Sequence, residues 1–214
     1  MARPLSPHFS YVHVFEPGTD PVAPPLLLLH GTGGSEHDLL RIGRAISPGS
    51  ALLSPRGDVS EGGALRFFAR LAEGVFDPQE IIRRTHTLGD FLAAATAHYT
   101  LDPARLLAVG FSNGANIAAT LLLLRPETLA GAILLRSMVV LEQPALPGTL
   151  AGKRVLLCNG STDPLVPPDH PERLATLLRA GGAAVKIHPI SASHGLTPQD
   201  VAAAQTWLGE AHRS

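Results

Sequence analysis

The chain repeats one local pattern: a short, almost wholly apolar run stops at a cluster of glycine, proline or asparagine, and a longer stretch with helical spacing follows. Leu26–His30 runs into Gly31-Thr32-Gly33-Gly34, Leu106–Gly110 into Phe111-Ser112-Asn113-Gly114, and Arg154–Cys158 into Asn159-Gly160-Ser161-Thr162-Asp163-Pro164. Runs with no alternating polar positions are strands covered on both faces, and strands separated by helices form a parallel sheet. The same reading places further strands at Phe9–Phe15, Ala51–Ser54, Ala132–Leu135 and Val185–His188. Helical patterns fall over residues 36–46, 78–99, 114–125, 170–181 and 198–210. Ser35, three residues before Asp38, and Pro198, directly after Thr197, supply start signals for two of them. The expected fold class is α/β: a mostly parallel, doubly wound sheet of about seven strands with helices on both faces.

Composition excludes several alternatives. The 214 residues are 45% hydrophobic and 16% charged, and include 21 Gly and 19 Pro. A disordered chain would carry more charge and less leucine, and a collagen-like one would show a strict Gly period. Gly and Pro gather instead at the carboxyl ends of the strands, the edge of a parallel sheet where sites form. A net charge of −1, with no basic stripe, leaves nothing to draw nucleic acid or an anionic membrane surface. The lone cysteine, Cys158, implies no internal disulfide and no oxidising compartment. The longest strongly apolar stretch, Gly114–Leu124, is shorter than the roughly 20 residues of a membrane span, and the N-terminus has no signal-peptide core. The expectation is one domain over residues 1–214, cytoplasmic, with no membrane span and no nucleic-acid partner; a homodimer stays open as an assembly.

Gly110-Phe111-Ser112-Asn113-Gly114 fits G-x-S-x-G, a sharp strand-to-helix turn whose small residues let the backbone project a serine hydroxyl. Alone the motif is weak, but a strand-like run precedes it and a helix-like run follows, as the turn requires. A serine hydroxyl needs a base, and the base needs an orienting carboxylate. On sheets with this turn the partners follow in the order serine, acid, histidine. Downstream of Ser112, only Asp163 among the acids sits in the turn just after a strand. Of His170, His188, His194 and His212, only His194 lies in a loop between the last strand and the last helix. The predicted donors to a developing oxyanion are the backbone N–H of Asn113 and that of Thr32, with Gly33 as the alternative to Thr32. A dinucleotide site in the same glycine loop fails because Glu36 occupies the third glycine position.

Together, Leu29-His30-Gly31-Thr32-Gly33-Gly34, Gly110-Phe111-Ser112-Asn113-Gly114, Asp163-Pro164-Leu165-Val166-Pro167 and Ser193-His194-Gly195 resemble the phospholipase/carboxylesterase family of α/β-hydrolases over roughly residues 22–210. The resemblance implies a triad of Ser112, Asp163 and His194, an oxyanion hole at Thr32 and Asn113, action on carboxylic esters and thioesters, and no cofactor. Two positions depart from the family: Asn113 stands where many members carry glutamine, and the N-terminus has room for only one of two usual leading strands. The segment from Arg56-Gly57-Asp58 to Arg66-Phe67-Phe68-Ala69-Arg70 resembles a subgroup of small bacterial esterases that includes quinone-associated hydrolases. Phe67, Phe68 and Met138, in long connections after strands, are candidate walls of the acyl pocket; ordinary packing under a loop accounts equally well for each of the two aromatics.

The expected activity is that of a serine carboxylesterase on a small ester with a short or medium acyl chain. The 18 or so residues from Arg136 to Lys153 are too few for a helical lid domain. A thioesterase or lysophospholipase on the same residues is the nearest alternative; an idle binding module on a hydrolase fold is the alternative of another class. Cys158 reads as a core residue, and His30, His37, His86 and His98 lack paired ligand spacing, so no metal is expected.

Overall fold

The computed structural model describes residues 9–211. Its strands are β1 (His13–Glu16), β2 (Leu26–Leu29), β3 (Leu52–Pro55), β4 (Val59–Glu61), β5 (Ala64–Arg66), β6 (Leu107–Phe111), β7 (Gly131–Leu135), β8 (Arg154–Gly160) and β9 (Ala184–Ile190). The helices are α1 (Leu40–Ile46), α2 (Pro78–Tyr99), α3 (Asn113–Leu124), α4 (His170–Ala180) and α5 (Pro198–Ala211). Seven strands form one sheet in the order β1-β3-β2-β6-β7-β8-β9. Only the edge strand β1 runs antiparallel, against β3.

The four consecutive leucines of β2 show why the buried strands carry no polar alternation. All four are 0% exposed. Leu27 and Leu29 join the core that α2, α3 and α4 cover, whereas Leu26 and Leu28 join a second core under α1 and α5. Successive side chains on a strand point to opposite faces, and here both faces are dry.

Three local expectations change. The first strand covers His13–Glu16 rather than Phe9–Phe15. The first helix begins at Leu40 rather than residue 36: Ser35 Oγ donates to Asp38 Oδ1 at 2.7 Å, but the residues between them form turns. The segment after β3, read as a long connection, contains the β4–β5 hairpin, which turns at Gly62 and Gly63 with φ of 58° and 91°. Paired positive φ values are those of the tight hairpin turns that suit glycine. This hairpin stands beside the glycine loop that follows β2, where the N–H of Gly33 donates to the carbonyl of Leu65 at 2.8 Å.

Candidate active site

Ser112 lies between β6 and α3 at φ 52°, ψ −115°. A left-handed φ is strained for a residue with a side chain and persists where its surroundings hold it. Here its N–H donates to the carbonyl of Leu135 at 2.9 Å, and its carbonyl accepts from the N–H of Asn116 at 2.9 Å, starting the helix. The flanking glycines answer to close approach. A Cβ on Gly110 would stand 2.5 Å from the carbonyl oxygen of Gly114, and one on Gly114 would overlap the carbonyl of Leu29. The G-x-S-x-G letters therefore reflect α3 being pressed against the ends of β2 and β6.

Three loops from separate parts of the chain converge on this serine. His194 Nε2 lies 2.9 Å from Ser112 Oγ, and His194 Nδ1 lies 2.8 Å from Asp163 Oδ2. The Asp163 carboxylate is buried, and its other oxygen accepts from the N–H of Leu165 at 2.9 Å. A carboxylate only accepts, so Nδ1 of His194 carries the proton and the lone pair of Nε2 faces the serine hydroxyl. Such a set can take the proton of Ser112 and hold the imidazolium that results.

The two residues whose N–H groups the sequence offers as oxyanion donors stand in the same cavity. Thr32 and Asn113 line it with Ser112 and His194. Asn113 begins α3, where backbone N–H groups have no intrahelical acceptor. Among the described residues neither its N–H nor that of Thr32 has a hydrogen-bond partner, whereas the N–H of Gly33 donates to the carbonyl of Leu65 at 2.8 Å. Of the two alternatives in the glycine loop, Thr32 alone keeps a free donor. The Asn113 side chain acts separately from its main chain, with Oδ1 accepting from the N–H of Phe67 at 2.7 Å and so tying the elbow to the segment after β5.

That segment also braces the glycine loop. Arg66 Nη1 donates to Thr32 Oγ1 at 2.7 Å and its Nε to the carbonyl of Phe68 at 3.0 Å. Arg70 pairs with Glu61 at 2.7 Å and with Glu73. His30 Nδ1 donates to the carbonyl of Gly31 at 2.7 Å, and its Nε2 accepts from the N–H of Gly57 at 2.9 Å. Both bonds suit the neutral imidazole, and burial lowers the His30 pKa from its ordinary value.

The cavity measures about 290 Å³. Met138 lines it, positioned by its own N–H donating to Asn116 Oδ1 at 2.9 Å. Phe67 and Phe68 do not reach it: both are 0% exposed and join the main core, Phe67 against the His30 ring at 4.8 Å and Phe68 edge-on to Phe76 at 5.6 Å. The apolar wall is built instead from Phe76, Phe111, Leu165 and Met138, and Arg66, Arg70 and Glu73 form its polar part. Phe111 is the variable residue before the serine, and Leu165 follows Asp163 by two positions. Both could have been found from their place beside motif residues, but Phe76 carries no such signal.

A mostly parallel sheet with a strained serine at the carboxyl end of its central strand, facing a histidine and a buried carboxylate from later loops, defines an α/β-hydrolase. The chain belongs to the Phospholipase/Carboxylesterase family, whose model matches residues 11–212, and is by that membership a carboxylic ester hydrolase. It is 44% identical over 199 residues to MhqD of Bacillus subtilis (strain 168), which is described as a hydrolase, covering 93% of this chain and 98% of that one. Among solved structures, a Bacillus cereus carboxylesterase superposes with a TM-score of 0.90 at 42% identity, covering 94% of this chain and 95% of the other. A Mesorhizobium loti carboxylesterase gives a TM-score of 0.82 at 34% identity, covering 87% of this chain and 88% of its own.

Proposed function

We propose that the protein is a serine carboxylesterase that hydrolyses esters of short or medium acyl chains through an acyl-enzyme. His194 takes the proton of Ser112 as Oγ attacks the ester carbonyl, and Asp163 holds the imidazole in the required tautomer. The N–H groups of Thr32 and Asn113 stabilise the oxyanion, a contribution on the order of 10²–10³ in rate per donor. His194 then returns the proton to the departing alcohol. Water repeats the sequence on the acyl-enzyme and releases the acid.

The observation that carries this reading is the unbroken chain of contacts from Ser112 Oγ to His194 to Asp163, at 2.9 and 2.8 Å, beside a cavity that Ser112, His194 and two residues with unpaired N–H groups line. Replacing Ser112 with Ala is expected to abolish turnover of a chromogenic short-chain ester while leaving the fold intact. Turnover at the wild-type rate in Ser112→Ala would refute it. Matched oxygen and sulfur esters separate an esterase from a thioesterase.

A further inference from the structure

The stretch of loop immediately around His194 has no backbone–backbone hydrogen bonds of its own. The loop joins β9 to α5, and among the described residues no backbone–backbone hydrogen bond engages Ser193, His194, Gly195 or Leu196. A histidine that must meet a serine on one side and a carboxylate on the other needs its main chain fixed. The fixing group is a side chain from the residue just past another strand.

Arg136 follows β7 directly and is 0% exposed. Its five guanidinium N–H groups each have an acceptor. Nε donates to the carbonyl of Ser193 at 3.1 Å, and Nη2 to the carbonyl of Gly195 at 2.9 Å, so the two carbonyls on either side of His194 end on one rigid group. Nη1 donates to the carbonyl of Cys158 at 3.2 Å, and Nη1 and Nη2 donate to the two oxygens of Asp200 at 2.7 and 2.9 Å. Asp200, buried in the first turn of α5, also accepts from the N–H of Thr197 at 2.8 Å and so secures the far end of the same loop. The Arg136 backbone takes a left-handed φ of 58°, and its own N–H donates to the carbonyl of Cys158 at 2.8 Å. A bulky residue held at positive φ directs the guanidinium under the histidine loop.

We propose that Arg136, anchored by Asp200, is a positioning residue for the reaction: it fixes the main chain on both sides of His194 and thereby holds the imidazole in line between Ser112 and Asp163. The role rests on the reading of Ser112, His194 and Asp163 given above. A lysine cannot fill it, because an ammonium has three donors where five acceptors converge, and it lacks the planar fork that meets a carboxylate and two carbonyls together.

The test uses two variants of the whole chain. In the double variant R136M/D200N both members of the buried pair lose their charge, so neither is stranded, and the amide oxygen still accepts from Thr197. In Arg136→Lys the pairing with Asp200 is kept and the grip on the loop is lost. Both are expected to lower kcat on the order of 10²-fold, the effect of a misplacement of about 1 Å, with KM unchanged. The Nδ1 proton of His194, read by NMR, is expected to shift or broaden in both as its bond to Asp163 loosens. Wild-type kcat in either folded variant would overturn the proposal. So would a loss of kcat that leaves the His194 proton signal untouched, since the loss would then have another origin. If the double variant does not fold, Arg136→Lys decides by the same two readouts. Activity surviving in Ser112→Ala would strike at the site itself and not at Arg136.

Discussion

At the residue scale, the pattern Gly-x-Ser-x-Gly is legible because its five positions stand together in one turn. Two glycines are needed where α3 presses on β2 and β6, and the serine between them must accept a left-handed backbone. Asp163 and His194 are legible because order and strand-end position narrow a short roster of acids and histidines. Arg136 is not legible in that way. An arginine just after an apolar strand looks like the start of a surface loop, and only the tertiary structure shows its donors meeting two carbonyls 57 and 59 residues away. Asn113 falls between these cases, since the main-chain role proposed for it follows from the motif but its side-chain bond to Phe67 does not. Asn113→Ala strands the buried N–H of Phe67, a cost of about 1–3 kcal/mol. A lowered denaturation midpoint by calorimetry or urea titration is the expected result; an unchanged midpoint would show that Phe67 finds another acceptor.

At the scale of elements, the buried strands are easier to read than the segment over the site. The strands β2, β6, β7 and β8 are continuous apolar runs covered on both faces, and few other arrangements of a chain produce that pattern. The β4–β5 hairpin has three-residue strands, half exposed and partly polar, so hydrophobic periodicity is silent there. Its remaining signal is Gly62-Gly63, a dipeptide suited to a two-residue hairpin turn. This element carries Arg66 and leads into Phe67 and Phe68, both buried in the main core. His30 links the glycine loop to the same segment through Gly57, and its linkage to pH has a definite sign. Burial lowers its folded-state pKa below 6.5, so between 6.5 and that lower value the unfolded chain binds more protons. Stability is therefore expected to fall as pH drops below about 6.5, with His170, also lowered chiefly by burial, adding in the same direction. Denaturant midpoints taken at about pH 7.5 and 5.5 measure this, and His30→Gln is expected to reduce the loss. An undiminished loss in that variant would show that His30 is not the group responsible.

For the whole molecule, the abundance of glycine and proline and the low charge have one origin. A sheet buried on both faces excludes charge from its strands and demands tight turns at their ends, several of which also bring N–H groups to the site. Residues 136–153 contain no helix or strand, and among the described residues no lid covers the cavity. A cavity of about 290 Å³ is near the lower end for small-molecule sites, so rates across a series of acyl esters are expected to peak at short or medium chains. A peak at long chains, with a jump above the micelle threshold, would contradict that geometry. Substrate preference lies beyond the motifs because the wall comes from Phe76, Phe111, Leu165 and Met138, which share no spacing in the sequence. Everything proposed for the site depends on Ser112 being a nucleophile activated by His194, and covalent labelling tests that most directly. Treatment with a fluorophosphonate, followed by peptide mapping by mass spectrometry, is expected to place one adduct on Ser112, with labelling lost on prior unfolding and sharply slowed in His194→Ala. An intact protein that stays unlabelled, or carries its adduct on another residue, would contradict that role for Ser112.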